Sequence, residues 1–272
     1  MTLPRRWRRP LRRLRLAALD AWDVALRRRA PLTPARRHVH DIGGFDFHDV
    51  GRRLAALAIE LGGLGPDDRI LDVGCGFGRL AVALLSYLEN GEYVGVDVDR
   101  RGIRWCRKHI SPSHPNFWFA HADVANSHYN PRGRVPPTEF RLPCASASVD
   151  VAFAGSLFTH LLPPAADHYV WELARVLKPG GRVVATFFLL DDAIRGRLAD
   201  PLVQPQFTAF PEPYYAVADP ADPEAAIAYD ADVVREAFAA RGLDVVHVER
   251  GAWRALDNPR TYQDVVVAKR AG

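Results

Sequence analysis

The stretch RILDVGCGFGRL, residues 69–80, decides the fold. Arg69 to Val73 is a short apolar run of strand length, and from Arg79 to Leu88 apolar residues recur at helical spacing. Between them lies Gly74-Cys75-Gly76-Phe77-Gly78. Glycines permit sharp turns and let a ligand approach the main chain closely. A loop between a strand's C-terminal end and the next helix is where an open α/β sheet offers a crevice. The spacing is GxGxG with Asp72 two residues ahead, whereas the dinucleotide fingerprint places its third glycine one position later. A carboxylate beside a pyrophosphate is repulsive; a ligand carrying an amino group and a sulfonium tolerates Asp72.

Working outward, the same alternation continues. Tyr93 to Val98 predicts a second strand, Arg101 to His109 a helix, and Phe117 to Ala120 and Val149 to Ala154 further strands. Ala165 to Leu177 reads as a helix, Lys178-Pro179-Gly180-Gly181 as a turn, and Arg182 to Leu190 as a strand. Upstream, Val50 to Leu61 predicts a helix ended by Gly62-Gly63; downstream come a helix over Asp232 to Ala240 and strands over Leu243 to Val248 and Asp264 to Ala268. Strands alternating with helices imply a parallel sheet covered on both faces. Two excursions, 125–143 and 191–229, interrupt the rhythm, and long excursions carry function or are disordered.

With 272 residues, 48% apolar and 25% charged, the chain has the composition of a globular protein able to bury a sizeable core. No apolar run approaches the roughly 18 to 20 residues of a membrane-spanning helix. Cys75, Cys106 and Cys144 lack disulfide-framework, CxxC or zinc-ligand spacing, and the histidines show no HExxH pattern, so a reducing cytosol and no metal are expected. The net charge of +4 hides an asymmetry: residues 1–37 hold twelve arginines against Asp20 and Asp23, which leaves the remainder at −6. Arginine outnumbers lysine 33 to 3, a bias that points to a GC-rich bacterial genome. Residues 1–40 form a basic N-terminal extension ahead of a body at 41–272. Within it, Leu11, Leu14, Ala18 and Trp22 predict a basic amphipathic helix over Leu11 to Arg29, suited to an anionic membrane surface at the inner face or a partner; the alternative is a frayed, solvated extension. The apolar stretch Leu16 to Leu19 is too short for a secretory signal.

Five ordered segments, ILDVGCGFGRLA (70–81), VGVDVD (94–99), AHADV (120–124), VDVAFAGSLFTHL (149–161) and ELARVLKPGGRVV (172–184), together resemble the core of class I S-adenosylmethionine-dependent methyltransferases. The resemblance covers residues 69–190 and extends to about 270, but does not reach the first 40. It implies an α/β, Rossmann-like doubly wound sheet, mostly parallel with an antiparallel last strand. It also implies S-adenosyl-L-methionine as cofactor: Gly74, Cys75, Gly76 and Gly78 around the methionine part, Asp72 toward its amino end, Asp97 on the ribose hydroxyls, Val98 under adenine, Asp123 with Val124 at the adenine amino group, and Gly155 beyond the fourth strand. A carboxylate at a strand tip can accept two vicinal hydroxyl protons, which fits Asp97 and would also fit NAD.

The acceptor is read from the segment after the fourth strand. Ala154 to Leu161 lacks the [DN]PP[YF] signature of family members that methylate amines, and Pro143-Cys144 precedes the fourth strand, the wrong place for a cytosine-methylating cysteine. A hydroxyl on a small molecule or glycan is the resulting expectation. His160 is the candidate base, since imidazole titrates near neutral pH. The rival reading packs it at a helix start, with Thr159 as N-cap. Asp191 or Asp192 are alternative bases, and His121 is expected near adenine. Phe45, Tyr129, Asn130, Arg132, Tyr214 and Tyr215 are the candidate substrate-binding wall, with Phe207 and Phe210 as further aromatics; the competing role is anchoring a loop. Two other functions stay open: a nucleic-acid methyltransferase gripping phosphates with the basic arm, disfavoured by the acidic body, and a non-catalytic cofactor-binding partner.

Overall fold

A computed structural model describes residues 15–23, 26, 29–41 and 46–272. Helices α1 (15–23), α2 (Arg36–Asp41) and α3 (Phe47–Ala56, continued by a π-turn Leu57–Leu61) precede the sheet. Then follow β1 (Arg69–Val73), α4 (Arg79–Leu84), β2 (Glu92–Asp97), α5 (Arg100–His109), β3 (Phe117–His121), β4 (Val149–Ala154), α6 (Pro163–Val176) and β5 (Leu177–Phe187). The C-terminal part holds β6 (Leu189–Leu190), α7 (Asp192–Arg195), β7 (Ala209–Glu212), β8 (Tyr215–Val217), β9 (Ile227–Asp230), α8 (Ala231–Ala239), β10 (Leu243–Glu249) and β11 (Asp264–Arg270).

The main sheet has seven strands in the order β10-β11-β5-β4-β1-β2-β3. β1, β2, β3, β4 and β5 pair in parallel, and β11 runs antiparallel to both β5 and β10. The expected Rossmann-like sheet with an antiparallel last strand is therefore the fold. Its central strands β1, β4, β5 and β11 are buried on both faces, with successive side chains parting as strand periodicity requires. Ile70, Tyr93, Val151, Val184 and Val265 join the core under α3, α4 and α5, while Leu71, Val94, Ala152, Val183 and Val266 join the core under α6 and α8.

Three features differ from the sequence reading. Lys178 to Gly181 is a bulge within β5 rather than a turn ahead of it: Val149 pairs with Leu177 and Val151 with Arg182, so the intervening residues bow out opposite Asp150. The strand expected to run to Leu190 stops at Phe187, because the Leu189 amide donates to the Asp264 carboxylate at 2.9 Å and the Phe188 carbonyl accepts the Tyr229 amide. The excursion at 191–229 is neither a loop nor disordered; with β6 and β9 it builds a second sheet, β6-β9-β8-β7. That sheet has a small core of its own around Phe188, Phe207 and Trp253.

Buried Asp264 fastens the second sheet to the first. It accepts Gly251 N at 2.8 Å, Trp253 Nε1 at 2.9 Å and Arg254 Nε at 3.0 Å besides Leu189 N. Arg254 stacks on Trp253 and reaches Asp191. A buried carboxylate persists only when its lone pairs are satisfied in this way.

The described part of the basic arm returns to the body. Asp20 is buried, and its Oδ1 accepts both Arg29 Nη2 and the Arg36 amide at 2.7 Å. Asp23 accepts Arg36 Nε, and the ring of His38 stacks on Phe77 of the glycine loop at 4.7 Å. Leu11 and Leu14, half of the expected amphipathic face, lie outside the described residues.

Candidate active site

The glycine loop leaves β1 and wraps over the tip of β2. Gly74 and Cys75 both donate to the Val96 carbonyl, at 2.8 and 3.1 Å. Gly74 has φ +89° and Gly76 φ +55°, in the region that L side chains rarely adopt. Gly74 is exposed, and a Cβ placed there would meet only the Gly155 carbonyl at 3.7 Å, so the loop leaves room directly above its main chain. Gly76 is approached closely by α5, where a Cβ on Gly102 would stand 2.4 Å from the Gly76 carbonyl.

Asp97 terminates β2. Its Oδ2 accepts Gly76 N and its Oδ1 accepts Asp99 N, each at 2.6 Å. Two main-chain bonds occupy half of the carboxylate's roughly four acceptor positions, so each oxygen retains a lone pair for a hydroxyl. Burial pushes the Asp97 pKa up and the two amides oppose the shift. Asp72 lies beneath the loop: its Oδ2 accepts the Tyr93 hydroxyl, and burial raises its pKa to about 7. With Oδ2 taken, Oδ1 is the oxygen left for an amino group. Cys75 is buried with its sulfur 3.0 Å from where a Gly95 Cβ would stand, so its side chain is a small packing group in a tight loop. Gly78, in the left-handed region, caps α4.

Asp123 accepts Arg134 Nε at 2.5 Å, and that hydrogen bond holds its pKa below the ordinary value. Val124 is buried and Val98 partly buried against the same core. The segment after β3 then forms a compact loop. Val124 bridges to Val135, and Asn130 Nδ2 donates to the Val124 carbonyl at 2.9 Å. Gly133 lies where a Cβ would strike the Val124 main chain at 2.3 Å.

The acceptor side is assembled from three distant segments. His160 ends a short 3-10 turn (Phe158–His160) after β4. Its Nδ1 lies 2.8 Å from the Glu224 carbonyl, an acceptor only, so Nδ1 carries the proton and Nε2 the lone pair. Nε2 faces the Tyr129 hydroxyl at 3.3 Å. Burial lowers the His160 pKa, which favours the neutral imidazole. Desolvation and the charge of Asp97 raise the Tyr129 pKa. Glu224, from the second sheet's excursion, pins this arrangement. Its carboxylate accepts Asn126 Nδ2 at 2.8 Å and both the amide and hydroxyl of Ser127 at 2.5 Å. His128 Nδ1 lies 2.7 Å from the Asp222 carboxylate.

Several expected roles change. Asp191 is not placed to act as a base. Although burial alone would raise its pKa, Arg254, the Ile194 amide and Arg250 hold it below the ordinary value, and it caps α7. It lines a cavity of about 210 Å³ with Asp192, Asp230, Arg235 and Arg250, at the β10–β11 end of the sheet rather than at the glycine loop. Thr159 does not cap α6; its hydroxyl bonds Ser156 O, and Leu162 stands at the helix start. Asn130 serves its own loop. Arg132 is exposed, and Tyr214 and Tyr215 sit at the β7–β8 turn, with Tyr215 against Tyr229. Tyr229 in turn donates to the Leu161 carbonyl beside His160. Phe45 lies outside the described residues. The sequence reading missed Glu224, Asn126, Ser127 and Arg134, and passed over Gln263, whose Oε1 accepts Ser156 Oγ and Thr186 Oγ1 at the tips of β4 and β5.

Residues 71–185 match the family described as a methyltransferase domain. In sequence the chain is similar to phthiotriol/phenolphthiotriol dimycocerosates methyltransferase 1 of Mycobacterium ulcerans, 31% identical over 48% of this chain and 40% of that protein. It is also similar to 27-O-demethylrifamycin SV methyltransferase of Amycolatopsis mediterranei, 30% identical over 49% of this chain and 43% of that one. The chain thus spans less than half the length of these curated relatives. Among solved structures it resembles a Burkholderia thailandensis 1,6-didemethyltoxoflavin-N1-methyltransferase bound to S-adenosylhomocysteine, with TM-score 0.54 and 15% identity over 100% of this chain and 92% of that one. Residues 71–185 thus match a methyltransferase domain, and the structural likeness shows that the chain shares the fold of S-adenosylmethionine-dependent methyltransferases. The residues present fit that cofactor: an open cradle over Gly74, free lone pairs on Asp97, and an oxygen of the Asp72 carboxylate not taken by Tyr93.

Proposed function

We propose that this chain transfers a methyl group from S-adenosyl-L-methionine to a hydroxyl of a small-molecule or glycan acceptor, with His160 as the base. The observation that carries the proposal is the fixed tautomer of His160: its Nδ1 proton is committed to the Glu224 carbonyl, so Nε2 can only accept. When bound, the cofactor supplies an electrophilic methyl group. Gly74 to Gly78 and Asp97 would hold it, and Asp72 would face its amino end. The remaining task for the protein is to align the acceptor and remove its proton. An acceptor hydroxyl that reaches Nε2, or the Tyr129 oxygen beside it, passes its proton to His160 directly or through the phenol. Glu224 ties the loop of Asn126 and Ser127 to the segment that carries His160, which holds the imidazole in place for that transfer.

The Amycolatopsis relative is named for a substrate lacking a methyl on oxygen, in keeping with a hydroxyl acceptor. The buried, unpaired thiols of Cys75, Cys106 and Cys144 are in keeping with a reducing cytosol. Labelled methyl transfer from the cofactor to a panel of alcohols, glycans, amines and RNA is the test. Label on hydroxyl acceptors, lost in His160→Ala, is the expected result. Label confined to amines or RNA refutes the acceptor class, and full turnover without the imidazole refutes the base.

A further inference from the structure

We infer that the N-terminal arm is a docking element for an anionic lipid bilayer, and that it presents an apolar face outward because its acidic residues are paired with the arm's own Arg29 and Arg36. Ala18, Leu19, Trp22 and Leu26, together with Arg15, are exposed. Leu19 is 40%, Trp22 63% and Leu26 44% accessible. The Leu26 amide donates to the Trp22 carbonyl at 3.0 Å. At 3.6 residues per turn these positions fall within an arc of about 100°. On the other side of the helix, Asp20 is buried against Arg29 and the start of α2, and Asp23 pairs with Arg36. The arm's two negative charges are thereby neutralised and hidden, while twelve arginines belong to residues 1–37. A large exposed indole flanked by Leu19, Leu26 and Arg15, in an arm whose sequence carries twelve arginines against two internally paired acids, matches the interface of a negatively charged membrane. Among the described residues no helix is long and apolar enough to cross a membrane, so the contact is peripheral. Because α2 stacks His38 on Phe77, docking would bring the glycine-loop end of the crevice to the lipid surface.

The inference stands apart from the methyl-transfer reading, and its test reads no catalysis. The full chain is sedimented with vesicles of phosphatidylcholine alone and of phosphatidylcholine mixed with phosphatidylglycerol, at low and high salt. Partition to the anionic vesicles, weakened by salt, is the expected result, with a loss of about tenfold or more in L19D/W22D. Both positions are exposed, so the variant should keep the wild-type circular dichroism and thermal midpoint; a charge-preserving W22A, expected to lose less, guards against a folding defect. Equal partition to neutral and anionic vesicles overturns the inference. So does binding unchanged in L19D/W22D, concentration-dependent self-association through the arm in place of vesicle binding, or retention of RNA with no vesicle binding.

Discussion

The two halves of the crevice are built from different materials. On the cofactor side, the main chain does the holding: the Gly76 amide meets a carboxylate only 21 residues away, and the loop amides rest on the Val96 carbonyl. On the acceptor side, side chains do it over long stretches of chain, with Asn126 and Glu224 98 residues apart and His160 and the Glu224 carbonyl 64 apart. Local main-chain geometry survives change in the rest of the protein. Long-range side-chain networks can be rebuilt without disturbing it, and this division lets one fold serve many acceptors.

The sharpest way to break the comparison is at the buried anchor of the second sheet. Asp264→Ala removes the buried acceptor of Arg254 Nε and of three other donors, and should cost about 3 to 5 kcal/mol in chemical denaturation. If the folded variant also loses S-adenosylhomocysteine affinity in calorimetry, the halves are not separable. His160→Ala should lower turnover by roughly 100-fold or more while leaving that affinity intact. Asp97→Ala should do the opposite in kind, weakening cofactor binding by about 1 to 3 kcal/mol, as for loss of hydrogen bonds to a charged group.

Titration separates the halves more gently. His160 must be neutral to accept a proton, and burial places its folded pKa below the usual 6.5. The acid limb of kcat/KM should therefore lie below that value, with activity lost as pH falls through the depressed pKa; a limb above it would mean a different base. Asp72 has the contrary sign. Its folded pKa of about 7 lies above the ordinary 3.8, so its contribution to stability is fully present below 3.8 and lost as pH rises through about 7. Asp72→Asn, which mimics the neutral form, should gain stability relative to wild type on going from pH 5 to pH 8, by about 1 to 3 kcal/mol. Denaturation at the two pH values checks this, and a constant difference would show that Asp72 stays ionised.

The cofactor half was legible because its signals are local. RILDV and VGVDV are continuous apolar runs of buried parallel strands, and the glycines between strand and helix mark positive φ positions that other residues fill poorly. The acceptor half was legible only in part. His160 stood out by its chemistry and its place after the fourth strand, but nothing in Asp222-Pro223-Glu224 marks a residue that fixes an imidazole tautomer. Asn130 and Asp191 looked available because sequence does not show partners. The first is spent on the Val124 carbonyl and the second on Arg254 and Arg250.

The sequence by itself determined the order of the main-sheet strands and their helices, the glycine loop and the carboxylate at the β2 tip, since each rests on periodicity or on spacing within about 30 residues. Tertiary structure alone decided that the excursion at 191–229 folds into a second sheet, that β5 ends where Asp264 captures the Leu189 amide, and that Glu224 closes over His160. It also decided which face of the arm looks outward, because Asp20 and Asp23 are drawn to Arg29 and Arg36. The physical reason is the same in each case. A buried polar group takes whichever partner the packed chain brings within hydrogen-bonding distance, and that partner's position along the sequence carries no mark of the pairing.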